Sequence, residues 1–376
     1  LLEALNDEFY MRLALDMARK TSGQTDLNPM VGCVVVKDGR IVGIGTHLKR
    51  GEGHAEVHAL KMAGPEAEGA TVYVTLEPCS HTGKTPPCCD RIIEAKAARV
   101  VVAAVDGNPL VAGSGIARLR EHGIAVEVGL LEEEARQMNE KFNKWICTKL
   151  PFVTLKTAST LDGRIASSTG HSKWITGPEA REQVHVLRHQ HAGIMVGIAT
   201  VLADDPLLTT RGDVPALNPV RIVVDSKLRL PLEARVVGDR SARTLVLTTE
   251  GADSNRCELL TAAGVEVIPC GAGEAVDLTA AMKALAELEI GSILLEGGGK
   301  LNGAMLEAGL VDKIHMFIAA KIIGGENAPS SFSFAGIERM DDAIGLRDVT
   351  SEMIGPDICI IGYPDNAGKV RRCSQA

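Results

Sequence analysis

The sequence predicts an α/β protein of two domains, on three observations. Short apolar runs bounded by turn residues alternate with segments of helical period along most of the chain. The alternation starts afresh at Pro151, and no motif crosses that point. The 376 residues are enough for two domains of ordinary size. Aromatic residues make up only 3% of the chain, so both cores are expected to be built from Val, Ile, Leu and Ala.

Residues 7–20 read as an amphipathic helix with Phe9, Leu13, Leu15 and Met17 on its buried stripe. Asn28-Pro29 is a turn into the apolar strand 31–36, and Lys37-Asp38-Gly39-Arg40 is a hairpin into strand 41–45. A helix is expected from His54 to Met62, a strand at 72–76 and a helix from Pro86 to Lys96. Strand 99–105, a helix near 114–122, a short strand at 124–128 and one helix at 131–145 complete a sheet covered by helices on both faces. Loops at the strand C-termini are where such sheets bind ligands.

The second half opens with strand 152–159, which leaves through Leu161-Asp162-Gly163-Arg164. Thr176 with Glu179 three residues on suits a capping box for a helix running to about His191. Further strands are expected at 194–197, 221–225, 244–248, 265–269, 292–296 and 313–319, with helices near 278–289 and 301–308. The boundaries are therefore 1–148 and 149–364, and 365–376, which has no apolar period, reads as a disordered tail.

His54-Ala-Glu56, Pro78-Cys79 and Cys88 carry the chemistry of the first half. One imidazole and two thiols leave a fourth position open, the arrangement of a catalytic zinc site. His-x-Glu followed by Pro-Cys and a second Cys is the zinc-deaminase pattern, in which the Glu is proton carrier and not ligand. Here eight residues separate the cysteines, so the second arrives from a longer loop. His58 and Cys89 are alternative ligands; Cys88 is favoured because it opens a helix whose dipole stabilises a thiolate. The spacing is not that of a zincin, since the Glu of His54-Ala-Glu56-Val57-His58 has the wrong offset. Asn28, His47, His81, Lys84, Asp106 and Asn108 sit in turns beside the ligands. Turns need polar residues anyway, but together these could line a polar pocket, with His81 and Lys84 facing a phosphate. The expected reaction is hydrolytic: a ring amino group leaves as ammonia and Glu56 passes the proton.

In the second half, Glu296-Gly297-Gly298-Gly299-Lys300-Leu301-Asn302 follows a strand and opens a helix, a turn that offers backbone N–H groups to an anion. It is not the Rossmann fingerprint, because Asn302 stands where the third Gly belongs. Arg188 and Arg211 are candidate phosphate binders, although Arg188 could equally be a solvated helix residue. Trp174 lies in a polar loop, either to stack on a flat ring or to plug a domain edge.

These residues resemble a known family over roughly residues 7–363, the bifunctional deaminase/reductases of riboflavin biosynthesis. The first half carries Asn28-Pro29-x-Val31-Gly32-Cys33, His54-Ala-Glu56, Glu77-Pro78-Cys79-Ser80-His81 through Cys88, and Asp106-x-Asn108-Pro109. The second carries Lys156-x-Ala158-x-x-Leu161-Asp162-Gly163-Arg164, Ser172-x-Trp174-Ile175-Thr176, Thr200 to Thr209, and Glu296-Gly297-Gly298. The resemblance implies a cytidine-deaminase-like α/β/α sandwich followed by a dihydrofolate-reductase-like α/β domain. It implies zinc on His54, Cys79 and Cys88, Glu56 as proton carrier, and a phosphoribosylated diaminopyrimidinone as substrate. It further implies NADPH at Ala158, Trp174, Thr200, Asp204, Ser226, Gly298, Gly299, Lys300, Leu301 and Asn302. Ser172, Arg188, Leu208, Arg211 and Glu296 would then meet the substrate. Gly107, where most members would have Pro, and Cys89, where a small residue is usual, depart from the pattern without removing a functional group.

The net charge of −8 argues against a nucleic-acid-binding surface. There is no apolar run long enough to span a membrane and no basic-then-apolar leader. Nine cysteines without a disulfide framework point to a reducing, cytoplasmic compartment. A homo-oligomer is expected. The alternatives are another nucleobase deaminase fused to an unrelated reductase-like or regulatory domain, and a binding protein with decayed sites.

Overall fold

The computed structural model describes residues 5–81, 86–108 and 112–365. Two compact units divide at Lys149 and Leu150. The first contains α1 (Asp7–Arg19), β1 (Gly32–Lys37), β2 (Arg40–Thr46), α2 (Ala55–Ala63), β3 (Thr71–Leu76), α3 (Cys88–Glu94) and β4 (Arg99–Ala104). It ends with α4 (Ser114–Glu121), β5 (Ala125–Val128), α5 (Glu132–Met138) and α6 (Glu140–Thr148). The sheet order is β2-β1-β3-β4-β5; β1 is antiparallel to both its neighbours, and β3, β4 and β5 are parallel. Alternate strand residues feed opposite faces. Cys33, Val35, Val72, Val74, Val100 and Val102 pack with α2, α3 and α4, while Val34, Val36, Tyr73, Val101 and Ala103 pack with α1 and α5.

Two expectations for this unit need correction. The fully buried stripe of α1 is Met11, Ala14, Leu15 and Ala18, whereas Phe9, Leu13 and Met17 are half-buried. The cause is a close approach: a Cβ on Gly32 would lie 1.9 Å from the Ala14 carbonyl oxygen, so the helix turns its small residues to the sheet. The single helix expected at 131–145 is broken at Asn139, whose buried side chain accepts the Met30 N–H at 2.8 Å and donates to the Met30 carbonyl at 2.9 Å. That exchange with a distant turn replaces helix continuity.

The second unit contains β6 (Phe152–Thr160), α7 (Pro178–His189), β7 (Gly193–Gly197), α8 (Ile198–Asp204), β8 (Val220–Val224), α9 (Arg235–Gly238) and β9 (Thr244–Thr248). It continues with α10 (Ser254–Ala262), β10 (Glu266–Pro269), α11 (Leu278–Glu287), β11 (Ser292–Leu295), α12 (Gly299–Glu307), β12 (Lys313–Ala319), β13 (Leu346–Ile354) and β14 (Asp357–Pro364). The nine-stranded order is β10-β9-β8-β7-β11-β6-β12-β14-β13. Strands β10 to β12 run parallel, and β14 and β13 close the edge as an antiparallel hairpin. The order doubles back where β11 inserts between β7 and β6, the kind of switch point at which open sheets bind ligands.

The capping box at Thr176 is not formed. Gly177 is the N-cap of α7, Pro178 occupies the first turn, and the Gly177 N–H donates to Asp357 Oδ2 at 2.6 Å. A proline there forces an extended residue before it, and the β14 carboxylate then takes the free donor. The sequence reading also missed α8, α10 and the β13–β14 hairpin. Residues 366–376, expected as a tail, lie outside the described residues.

Candidate active sites

The first site is built by packing α2 directly on β2. Added Cβ atoms on Gly43 and Gly45 would lie 2.1 and 2.2 Å from the carbonyl oxygens of Ala59 and Ala55. This fixes the helix start, where His54 is the N-cap and Glu56 lies in the first turn. His54 therefore precedes the helix expected to contain it. Cys79 follows β3, and Cys88 begins α3. His54 Nδ1 lies 3.6 Å from Cys79 Sγ and 3.3 Å from Cys88 Sγ, and the three candidate ligand atoms lie within 4.8 Å of one another. A tetrahedral zinc would set such N–S edges at about 3.6 Å, so the donor set fits that ion in type and spacing. The Cys88 thiol, with help from His54 and the Cys88 N–H, holds the Cys79 thiol well below its ordinary pKa. His58 is outside the cluster, and Cys89 points away, its thiol donating to the Pro78 carbonyl at 3.2 Å.

Glu56 is 3% exposed and its Oε2 has no partner. Burial pushes its carboxyl up from the ordinary carboxylate value. A cavity of about 240 Å³ opens beside it, lined by Asn28, His47, His54, Cys79, His81, Asp106 and Asn108 among others. Lys84 lies outside the described residues. Glu77 was not singled out from sequence. This buried carboxylate accepts the N–H groups of Asp106, Gly113, Gly115 and Ile116, and so ties the Asp106–Asn108 turn to the strand that delivers Cys79. Asp106 is pushed up by burial.

The second site is a cleft of about 460 Å³ at the β6, β7 and β11 ends. Ala158, Ser172, Trp174, Arg188, Thr200, Asp204, Leu208, Arg211, Glu296 and Gly298 all line it. Thr200 and Asp204 reach it from α8, and Lys173 lies 3.9 Å from the Asp204 carboxylate. Arg188 is no solvated residue: its Nε and Nη2 donate to Glu296 at 2.7 and 3.0 Å, and its Nη1 to the Thr209 carbonyl at 3.0 Å. Burial pushes the Glu296 carboxyl up, but the charges of Arg188 and Lys156 outweigh it and hold the group at about 2. Lys156, on the same face of β6 as Ala158, lies 4.0 Å from Glu296, and burial lowers its pKa. Its position two residues before Ala158 was the only sequence signal. The Arg181 guanidinium stacks over the Trp174 ring at 4.5 Å.

Ser226, Gly299, Lys300, Leu301 and Asn302 are not among the residues lining this cleft. Ser226 accepts the Val276 N–H at 3.1 Å, and buried Asn302 donates to the Ser331 carbonyl at 3.0 Å. Gly299 lies where a Cβ would meet the Ser330 carbonyl oxygen at 2.4 Å, so it shapes the turn from behind. Gly298, the N-cap of α12, is the least crowded of the three glycines: an added Cβ would meet only the Thr200 hydroxyl, at 4.0 Å.

Fold and sites define a two-domain enzyme, a zinc deaminase of the cytidine-deaminase type followed by a reductase. A family model for the cytidine and deoxycytidylate deaminase zinc-binding region matches residues 5–104, and one for the RibD C-terminal domain matches residues 151–360. The chain is 45% identical over 358 residues to riboflavin biosynthesis protein RibD of Bacillus amyloliquefaciens, covering 95% of this chain and 96% of the relative. It is 45% identical over 368 residues to RibD of Escherichia coli, covering 95% and 99%. The structure of Acinetobacter baumannii RibD superposes with a TM-score of 0.85 at 37% identity, covering 95% and 98%. That of a diaminohydroxyphosphoribosylaminopyrimidine deaminase/5-amino-6-(5-phosphoribosylamino)uracil reductase from Thermotoga maritima gives 0.83 at 37%, with the same coverage. The chain belongs to the RibD family, the bifunctional deaminase/reductases of riboflavin biosynthesis. Among the described residues no helix is long and apolar enough to cross a membrane.

Proposed function

We propose that residues 1–148 deaminate a phosphoribosylated 2,5-diaminopyrimidinone and that residues 149–364 reduce the ribosyl group of the product to ribityl with NADPH. The name of the Thermotoga maritima relative supports both substrates. The observation that carries the reading is the buried, unpartnered Glu56 Oε2 beside three converging ligand atoms. His54, Cys79 and Cys88 would hold zinc, which when bound lowers the pKa of a water to about 7. Glu56 passes a proton to the departing amino group as the ring C–N bond breaks and a C–O bond forms. Asn28, His47, His81, Lys84, Asp106 and Asn108 orient the ring and its phosphate.

In the reductase cleft the Arg188–Glu296 pair fixes a carboxylate against the substrate, while Ser172, Leu208 and Arg211 hold the ribose phosphate. Ala158, Trp174, Thr200, Asp204, Ser226 and the 298–302 turn serve NADPH, with Gly299, Leu301 and Asn302 shaping the turn from behind. The start of α12 supplies N–H donors for a phosphate. We infer a cytoplasmic homo-oligomer. Support for the oligomer comes from β13, an edge strand with Val349 53% and Met353 64% exposed, the kind of edge that pairs with another chain. The test supplies the diaminopyrimidinone phosphate and follows ammonia, then adds NADPH and follows its absorbance. Ammonia without NADPH consumption sinks the reductase half, and no ammonia sinks the deaminase half.

A further inference from the structure

We propose that His47 is a positioning residue: it sets the amide orientation of Asn28 and so makes the deaminase cavity selective for a ring edge rich in hydrogen-bond donors. The inference rests on the deaminase reading above and deepens it. His47 is 2% exposed and both ring nitrogens are engaged. Nδ1 lies 3.2 Å from the Gly53 carbonyl oxygen. A carbonyl only accepts, so Nδ1 carries the proton and the neutral ring keeps its lone pair on Nε2. Nε2 lies 3.1 Å from Asn28 Nδ2, and that NH₂ group donates to it.

The reversed amide would set Oδ1 against the Nε2 lone pair, two acceptors facing each other with no proton between them. A backbone carbonyl thus selects a tautomer, and the tautomer selects which end of a neighbouring amide meets the ligand.

The consequence is chemical selectivity. Asn28 Oδ1 takes no hydrogen bond from the described residues and belongs to the cavity wall. Two further acceptors share that wall, the unpartnered Glu56 Oε2 and the Asp106 carboxylate. A ring presenting an amino group beside a ring N–H matches these acceptors. A ring presenting carbonyl oxygens or bare ring nitrogens leaves them facing lone pairs, which is a strong ground for rejection.

The test compares His47→Gln, Asn28→Ala and the double variant with the wild type, using the diaminopyrimidinone phosphate as probe. Each variant is assayed for zinc content and for reduction of supplied deaminated product. A glutamine can place either amide end at the Nε2 position, so it removes the selection but keeps the size. The expected result is one zinc per chain, normal reduction and a KM for deamination raised roughly tenfold, the scale of a lost hydrogen bond, with kcat within about threefold. The double variant should be no worse than Asn28→Ala alone, because His47 acts through Asn28. Long-range ¹⁵N–¹H correlation should show the Nδ1–H tautomer for His47. An Nε2–H tautomer, loss of zinc in His47→Gln, or additive losses in the double variant would overturn the proposal. Absence of ammonia release by the wild type would instead defeat the deaminase reading, and the tautomer measurement would still decide the orientation.

Discussion

Replacing Arg188 by Met should destabilise the second unit by about 3–5 kcal/mol, the cost of removing one partner of a buried ion pair. The side chains of Arg188 and Glu296 are 13% and 12% exposed, and two hydrogen bonds of 2.7 and 3.0 Å join them. At an effective dielectric of about 20, charges about 4 Å apart attract by about 4 kcal/mol, which offsets much of the desolvation. Lys156, 4.0 Å away, compensates only part of the loss. Linkage gives a similar size: Glu296 held at about 2 against an ordinary 4.5 corresponds to about 3 kcal/mol. The folded pKa lies below the unfolded value, so this stability is present above about pH 4.5 and is lost as pH falls through about 2. For a unit of this size the variant should melt about 6–20 °C lower at pH 7. Its stability should also depend less on pH between 4.5 and 2. Calorimetry across that range, with reduction assayed in parallel, is the measurement. A melting point within about 2 °C of wild type and an unchanged reduction rate would show that the pair neither holds the cleft nor serves it.

Three further outcomes follow from the two sites. Cys79→Ala should lose its zinc by elemental analysis, and full retention would remove Cys79 from the ligand set. Glu56→Gln should keep zinc and fold while ammonia release falls at least about 10²-fold, the scale of a lost general acid/base; wild-type release would refute its role. Arg211→Ala should weaken reduction by about 1.5–3 kcal/mol in kcat/KM, the value of a hydrogen bond to a charged group, with deamination unchanged. Loss of both activities at normal melting would show that the two halves are coupled.

The parts of the fold that could be read from the sequence bury a periodic face. Strands such as Val72–Leu76 and Ile293–Leu295 are covered on both sides, so their nearly continuous apolar runs survive as signals. The β13 segment Leu346–Ile354 is exposed along nearly its whole length, and without a buried face there is no alternation to read. The neighbouring run Ile358–Ile361 leads into Gly-Tyr-Pro, a composition that suggests a turn. Helix α10 buries only Leu260 and so carries no stripe; the Asp253 side chain that caps it, accepting the Asn255 N–H at 2.9 Å, was its one signal. The break at Asn139 and the cap at Gly177 were hidden for another reason. Each is decided by a partner far along the chain, Met30 in one case and Asp357 in the other, and local propensity contains neither.

The same distinction separates the two sites. Zinc ligation needs particular atoms, a ring nitrogen and two sulfurs, so the residue types themselves are the signal and few other roles compete for them in that order. The reductase cleft needs charge, shape and backbone donors, which many residue types supply and which most charged residues supply without any function. Arg188 shows the difficulty. From sequence it could be a surface residue; in the fold it is buried because Glu296, 108 residues later, follows β11 directly opposite it. Lys156 was harder still, since a lysine in an apolar strand reads as an edge position until the cleft above β6 is known. Sequence therefore identifies chemistry where the reaction demands rare atoms, and structure is needed where it demands common groups in an uncommon place.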